Sequence, residues 1–249
     1  MRLKWHQLRR QPEDPPFLRE NLRAGLAAGA SLEVDIRALA DGRFVCLHDA
    51  VFDSETSGRG PVVASNEHAV TALRMLESGE PPLLLDELAD IVRSTALHPN
   101  SLLQLDLCGP IDTADCDAFA ATLRGISTQM VLSAYSWDDV TRLGARVRGL
   151  ALGYDPTEDA TRSGRDAISL VREVAPTADW IYLHRSSVRN AHKRGEQLAA
   201  AGLPMIDCWT IDHGGATNRF HFDMALAAGC DQITTNSPAL WAREMSGSG

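Results

Sequence analysis

Residues 31–60 read SLEVDIRALADGRFVCLHDAVFDSETSGRG, and the fold is read from this segment first. In an extended chain the side chains alternate between faces, so Glu33 and Asp35 project one way while Leu32, Val34 and Ile36 pack the other. Both carboxylates can then grip one cation. Asp41-Gly42 is a tight-turn pair that tolerates positive φ, and Arg43 to Leu47 forms the strand after it, delivering His48-Asp49. Acidic residues on a strand usually face solvent. Here the strand is otherwise apolar and the His-Asp pair closes the same hairpin, which favours a metal-assisted acid/base site.

Beyond the hairpin, short apolar runs alternate with helical patterns along the whole chain, the mark of repeated βα units around a parallel sheet. Strands are expected near Arg2–Trp5, Leu32–Ile36, Leu102–Leu107, Met130–Ser133, Gly149–Leu152, Trp180–Leu183, Pro204–Trp209 and Gln232–Thr235. Eight is the number of a (β/α)8 TIM barrel, and 249 residues suit one such α/β domain over 1–249. Phe44–Leu47 is an extra strand, either a hairpin at the barrel mouth or an extension of the second strand. Leu26 to Ala30, Leu198 to Pro204 and Leu226 to Asp231 each read as a helix end, a Gly and a strand start. The connection from Ala50 to roughly Val92 is long for a βα joint and carries a helical stretch near Leu84 to Val92.

The net charge of −9 argues against a partner that is nucleic acid or an anionic membrane, since either favours accumulated Lys and Arg. MRLKWHQLRR is too polar for the core of a signal peptide, and no later run is apolar for long enough to span a bilayer, so a soluble, cytoplasmic protein is expected. Cys46, Cys108, Cys116, Cys208 and Cys230 lack zinc-type spacing and are expected to be reduced and mostly buried. In an α/β barrel the active site lies at the C-terminal strand ends. The polar residues expected there are His6, Glu33, Asp35, His48, Asp106, His184 and Trp209.

The segment resembles the signature of the glycerophosphodiester phosphodiesterase family: an E-L-D strand, a D-G turn, an apolar strand ending H-D, and a Gly-rich segment. The matching elements are Glu33-Val34-Asp35, Asp41-Gly42, Phe44 to Leu47, His48-Asp49 and Thr56 to Gly60. Towards the C-terminus, Cys208 to Asp212 resembles the family's W-T-V-N, and Cys230 to Pro238 its G-V-D-G-I-I-T-D-x-P. The resemblance implies the barrel fold and an insertion, here at about 50–92, that helps form the substrate pocket. It also implies that Asp106, in the place of the Glu of N-I-E-I-K, completes a ligand set with Glu33 and Asp35. Three carboxylates are a hard oxygen set, suited to Mg²⁺ or Ca²⁺. His6 and His48 are implied as the acid/base pair, with attack by a neighbouring substrate hydroxyl through a cyclic phosphate. Which of the two is the acid stays open at this stage.

The chain departs from the family at three places. His6-Gln7-Leu8-Arg9-Arg10 stands for H-R-G, so the phosphate-holding Arg is missing and Arg9 or Arg10 is the candidate substitute; a merely buried or surface His6 is the alternative. P-E-N-T appears as Pro15-Pro16-Phe17-Leu18. Cys108 replaces the Lys two residues after the acidic ligand, and a small core residue is the expected reading for it. Trp209 either walls the pocket or packs the barrel, and His184 faces either the pocket or a helix. The expected activity is metal-dependent cleavage of a small glycerophosphodiester or related phosphodiester to an alcohol and a phosphomonoester. A phospholipase D-like lyase releasing a cyclic phosphate and a non-catalytic phosphodiester-binding barrel are the alternatives. His68, His98, His192, His213 and His221 are expected to be solvated.

Overall fold

The computed structural model describes residues 1–109, 111–196, 198 and 202–247. Eight parallel strands close into a barrel: β1 (Arg2–Trp5), β2 (Ser31–Ala38), β4 (Leu102–Leu107), β5 (Met130–Ala134), β6 (Ala151–Tyr154), β7 (Trp180–His184), β8 (Met205–Trp209) and β9 (Gln232–Thr235). Closure is made by β1, which pairs in parallel with β2 on one side and with β9 on the other. β3 (Phe44–Cys46) lies outside the ring, antiparallel to the end of β2 with Ile36 opposite Cys46 and Ala38 opposite Phe44. The Asp-Gly turn between them is built as its sequence requires. Gly42 has φ +75°, and the Leu39 N–H donates to the Arg43 carbonyl at 2.8 Å.

Gly29 and Gly229 end the helices Arg19–Ala28 and Ala216–Ala228 in the left-handed conformation and turn the chain into β2 and β9. The third expected joint, Leu198 to Pro204, includes positions outside the described residues. β6 begins two residues later than Gly149, because that glycine takes φ +83° and belongs to the turn before the strand. No described helix is long and apolar enough to cross a membrane.

The outer faces of the strands carry the apolar core. Leu32, Val34, Ile36, Leu103 and Leu105 are at most 1 % exposed and pack with Leu22, Leu26, Leu85 and Leu88 of the surrounding helices. Each such buried side chain contributes about 1.5–3 kcal/mol. Gly25 lets its helix lie directly on β2, since a Cβ there would stand 2.6 Å from Leu32 Cδ2. Within 50–92, the buried Phe52, Val62, Val70 and Met75 anchor a series of short turns, and the helix Leu85–Ser94 follows.

The barrel interior is polar. Lys4, 2 % exposed, ion-pairs with Asp207 at 3.2 Å and donates to Gln104 Oε1; Gln104 Nε2 donates to Ser133 Oγ at 2.7 Å, and Ser133 Oγ to Asp106 Oδ1 at 2.6 Å. Gln232 and Thr234 donate to the two oxygens of Asp207. Buried charges and amides persist only when partnered in this way. Lys4 Nζ also stands 4.4 Å from the centre of the Tyr182 ring. Gly153 makes room for that ring, because a Cβ there would meet Tyr182 Cε2 at 2.5 Å and Ser133 Cβ at 3.3 Å. Gly153→Ala is therefore expected to destabilise the barrel by about 1–3 kcal/mol through overpacking, read as a lower urea midpoint at unchanged slope. An unaltered midpoint would mean that the Tyr182 ring is free to move.

Candidate active site

At the C-terminal ends of the strands a cavity of about 190 Å³ is lined by His6, Glu33, Asp35, His48, Asp106 and Trp209 among others. Six of the residues expected from sequence thus meet in one place, while Arg9, Arg10 and His184 do not. Arg9 is held by Glu77 at 3.0 Å and donates to the Asp14 carbonyl, bordering a separate cleft beside His6. Arg10 turns back on Asp14. His184 caps the helix Arg185–Lys193 by accepting from the Ser186 N–H, and its ring meets Trp209 edge-on at 4.9 Å. It braces the wall residue without lining the cavity.

The register of the sheet explains how the carboxylates gather. β2 and β4 are neighbours with Glu33 opposite Gln104 and Asp35 opposite Asp106, so the two aspartates come from adjacent positions on one face. Burial pushes Glu33 up to about 7, with Asp106 adding to it and Lys4 and the Gln7 N–H opposing. Asp35 and Asp106 are each pushed up to about 6, first by burial and then by Glu33 and Asp35 respectively. A fourth carboxylate, Asp155, follows β6 and is raised to about 7 by burial, with its Thr157 hydrogen bonds opposing and Asp106 adding to the rise. Four carboxylates in one small cavity repel one another and would be relieved by a cation. Hard oxygen donors in this number fit a divalent ion.

The loop after β1 closes one side. Gln7 and Leu8 have φ +51° and +63°, a left-handed turn in non-glycine residues that aims the Gln7 N–H at Glu33 Oε2, 2.7 Å away. Gln7 Nε2 donates to Asp35 Oδ2 at 3.0 Å. The residue standing where an Arg was expected therefore holds the carboxylates. Cys108 differs from its expected place as well: it is half-buried at the cavity edge, with Sγ donating to Asp35 Oδ1 at 3.2 Å.

Both histidines present the same atom. His48 Nδ1–H donates to Asp49 at 2.9 Å, and His6 Nδ1–H donates to Asn236 Oδ1 at 2.8 Å. The amide of Asn236 is oriented by Asp212, which accepts its Nδ2–H at 3.2 Å and its backbone N–H at 2.7 Å. Nε2 of each ring carries no hydrogen bond among the described residues and is free for substrate. The partners differ in charge. Burial alone would lower His48, but Asp35 and the hydrogen-bonded Asp49 raise it above the ordinary value, whereas His6 has a neutral amide. Glu55 holds the His48-Asp49 backbone by accepting both N–H groups.

Arg37 extends the Glu33–Asp35 stripe by one more alternate position and clamps the carbonyls of His48 and Cys108. With His48, Cys108, Tyr135 and Trp137 it borders a wider groove of about 790 Å³ that adjoins the cavity. Arg37, Lys4, Asp155, Asp212 and Asn236 were not among the expected site residues. Period-two spacing from Glu33 points to Arg37, and position two before His6 points to Lys4.

The fold and its strand-end cluster define a (β/α)8 barrel with a carboxylate–histidine centre. No family model matches the chain, and no curated protein does. Among solved structures it is similar to an Oleispira antarctica phosphodiesterase in complex with the product sn-glycerol-3-phosphate, at 17 % identity over 96 % of this chain and 94 % of that one, TM-score 0.68. It is similar to glycerophosphodiester phosphodiesterases from Parabacteroides distasonis (14 %, covering 99 % and 97 %, TM-score 0.73) and Agrobacterium tumefaciens (19 %, 99 % of each, TM-score 0.67). The chain has the fold of the glycerophosphodiester phosphodiesterases.

Proposed function

We propose that the chain is a single-domain, metal-dependent phosphodiesterase acting on a small glycerophosphodiester, or a related phosphodiester with an adjacent hydroxyl, and releasing an alcohol and a phosphomonoester. One observation carries this reading: two histidines with Nδ1 occupied and Nε2 free share a cavity with Glu33, Asp35 and Asp106. The three carboxylates would hold the ion, for which their oxygens suit Mg²⁺ or Ca²⁺. Bound there, the ion supplies charge that offsets the phosphate. His48, whose protonated form the hydrogen-bonded Asp49 favours, gives its Nε2 proton to the departing alkoxide. His6, backed by a neutral amide, takes the proton of the neighbouring substrate hydroxyl at Nε2 as that oxygen bonds to phosphorus and closes a cyclic phosphate. Water then opens the ring, with His48 taking the water's proton and His6 protonating the oxygen that leaves phosphorus. Trp209 walls the cavity, and Arg37 brings a cation to its mouth.

The product bound to the Oleispira antarctica relative makes sn-glycerol 3-phosphate the first product to assay. Five unpaired cysteines support a reducing, cytoplasmic setting. EDTA is expected to abolish turnover of a glycerophosphodiester, and added Mg²⁺ or Ca²⁺ to restore it. Undiminished cleavage in EDTA would overturn the metal-dependent reading. Phosphorus NMR of the products is expected to end on the monoester; a cyclic phosphate that persists would assign the chain to the lyase class.

A further inference from the structure

Cys108 stands apart from the other four cysteines, which are buried. One oxygen each of Asp35 and Asp106 and the sulfur of Cys108 lie within 4.8 Å of one another. Metal–oxygen bonds of about 2.0–2.2 Å and a metal–sulfur bond of about 2.3 Å place donors on one ion roughly 3.5 Å apart, so a small closing movement suffices. The Arg37 clamp on the Cys108 carbonyl holds the backbone at this point. The cavity also contains Tyr182, 2 % exposed, whose hydroxyl has no hydrogen-bond partner among the described residues. A buried hydroxyl left so is satisfied when a polar ligand enters.

We infer that Cys108 is a thiolate ligand of the cation site beside Asp35 and Asp106, and that the site therefore takes a thiophilic divalent ion such as Zn²⁺ or Co²⁺ in preference to Mg²⁺ or Ca²⁺. This rests on the cation site of the proposed function and changes its donor set from all-oxygen to mixed oxygen and sulfur. Binding replaces the S–H bond by a sulfur–metal bond and releases one proton per ion, with no change of oxidation state. Asp35 Oδ1, which accepts the thiol proton in the metal-free protein, is freed at the same time to face the ion.

Co²⁺ added to the metal-free full chain tests this. The expected spectrum combines visible d–d bands with a near-ultraviolet sulfur-to-cobalt charge-transfer band, and Cys108→Ser is expected to keep the first and lose the second. The variant's Zn²⁺ affinity is expected to fall roughly 10–100-fold or more, with Ca²⁺ binding little changed. Visible bands without the near-ultraviolet band in the wild type would overturn the thiolate ligand and leave the carboxylate site standing. Absence of any cobalt spectrum, with no shift in melting temperature on adding Mg²⁺, Ca²⁺ or Zn²⁺, would overturn both. If the serine variant does not fold, alkylation of the wild type reads the same contact: Zn²⁺ and not Ca²⁺ should protect Cys108 from iodoacetamide. Equal labelling with either ion would overturn the inference.

Discussion

His48→Ala is expected to lower kcat/KM for a glycerophosphodiester by about 10²–10⁴-fold, the usual worth of a positioned proton donor, while leaving the fold intact. The side chain is 54 % exposed and its one hydrogen bond is to Asp49, itself at the surface. A substitution of that kind costs within about 0.5 kcal/mol of stability. The companion change Asp49→Asn keeps the imidazole but removes a hydrogen-bonded carboxylate that helps raise its pKa. A general acid is lost when it deprotonates, so the alkaline limb of the pH–rate profile is expected to move to lower pH in Asp49→Asn. Substantial residual turnover in His48→Ala would remove His48 from the chemistry. An unmoved alkaline limb in Asp49→Asn would assign that limb to another group.

The metal-free protein should lose stability as pH rises from about 4 to about 7. Glu33 and Asp155 are raised to about 7, and Asp35 and Asp106 to about 6, all by burial first. The folded chain therefore keeps protons that the unfolded chain gives up near 3.8 to 4.5. Their stabilisation is complete below those unfolded values and is lost as pH climbs through the folded ones. His184 and His221, lowered from the ordinary imidazole value by burial first, act in the opposite sense over part of this range. The carboxylates outnumber them and carry the larger displacements. Since one pKa unit is worth about 1.4 kcal/mol, the four coupled groups amount to a few kcal/mol. In EDTA this is a melting temperature roughly 5–10 °C lower at pH 8 than at pH 5. A divalent ion should reverse the difference, stabilising strongly at pH 8 and weakly at pH 5, where it competes with protons. A melting temperature in EDTA that is flat or rising from pH 5 to 8 would show that these carboxylates do not share a buried site.

The parts of this site that were legible in the sequence depend on local rules. Glu33 and Asp35 follow from period two, Gly42 from turn chemistry, and Asp106 from an acid inside an apolar run. Asp155 was missed because β6 was placed two residues early, at Gly149, which left the aspartate beyond the strand end; a glycine's φ is decided by the turn it serves. Lys4 escapes the sequence because lysine is rarely buried, and the partners that make its burial tolerable, Asp207, Gln104 and Tyr182, lie a hundred or more positions away. Separation in sequence likewise hid the support of His6 by Asn236 and Asp212 and the capture of Arg9 by Glu77. His221 was expected in solvent yet is 7 % exposed, because helical periodicity puts it on the inner face of its helix beside Phe222 and Ala225. At the place of the H-R-G turn, Leu8 is fully buried and holds a left-handed backbone of the kind that glycine adopts without strain.

The polar chain through the barrel has a sense of direction. Lys4 has three donors and no acceptor, so the bond to Gln104 runs one way. Gln104 must then give its amide hydrogen to Ser133, and Ser133 its hydroxyl hydrogen to Asp106. Every dipole in the wire points from the ammonium at the floor to the carboxylate at the rim, and aligned dipoles of this kind strengthen one another. Asp106 is thereby a terminal acceptor whose remaining lone pairs face the cavity. Lys4, at the start of this chain, thereby sets the polarity of the oxygen that a cation would meet.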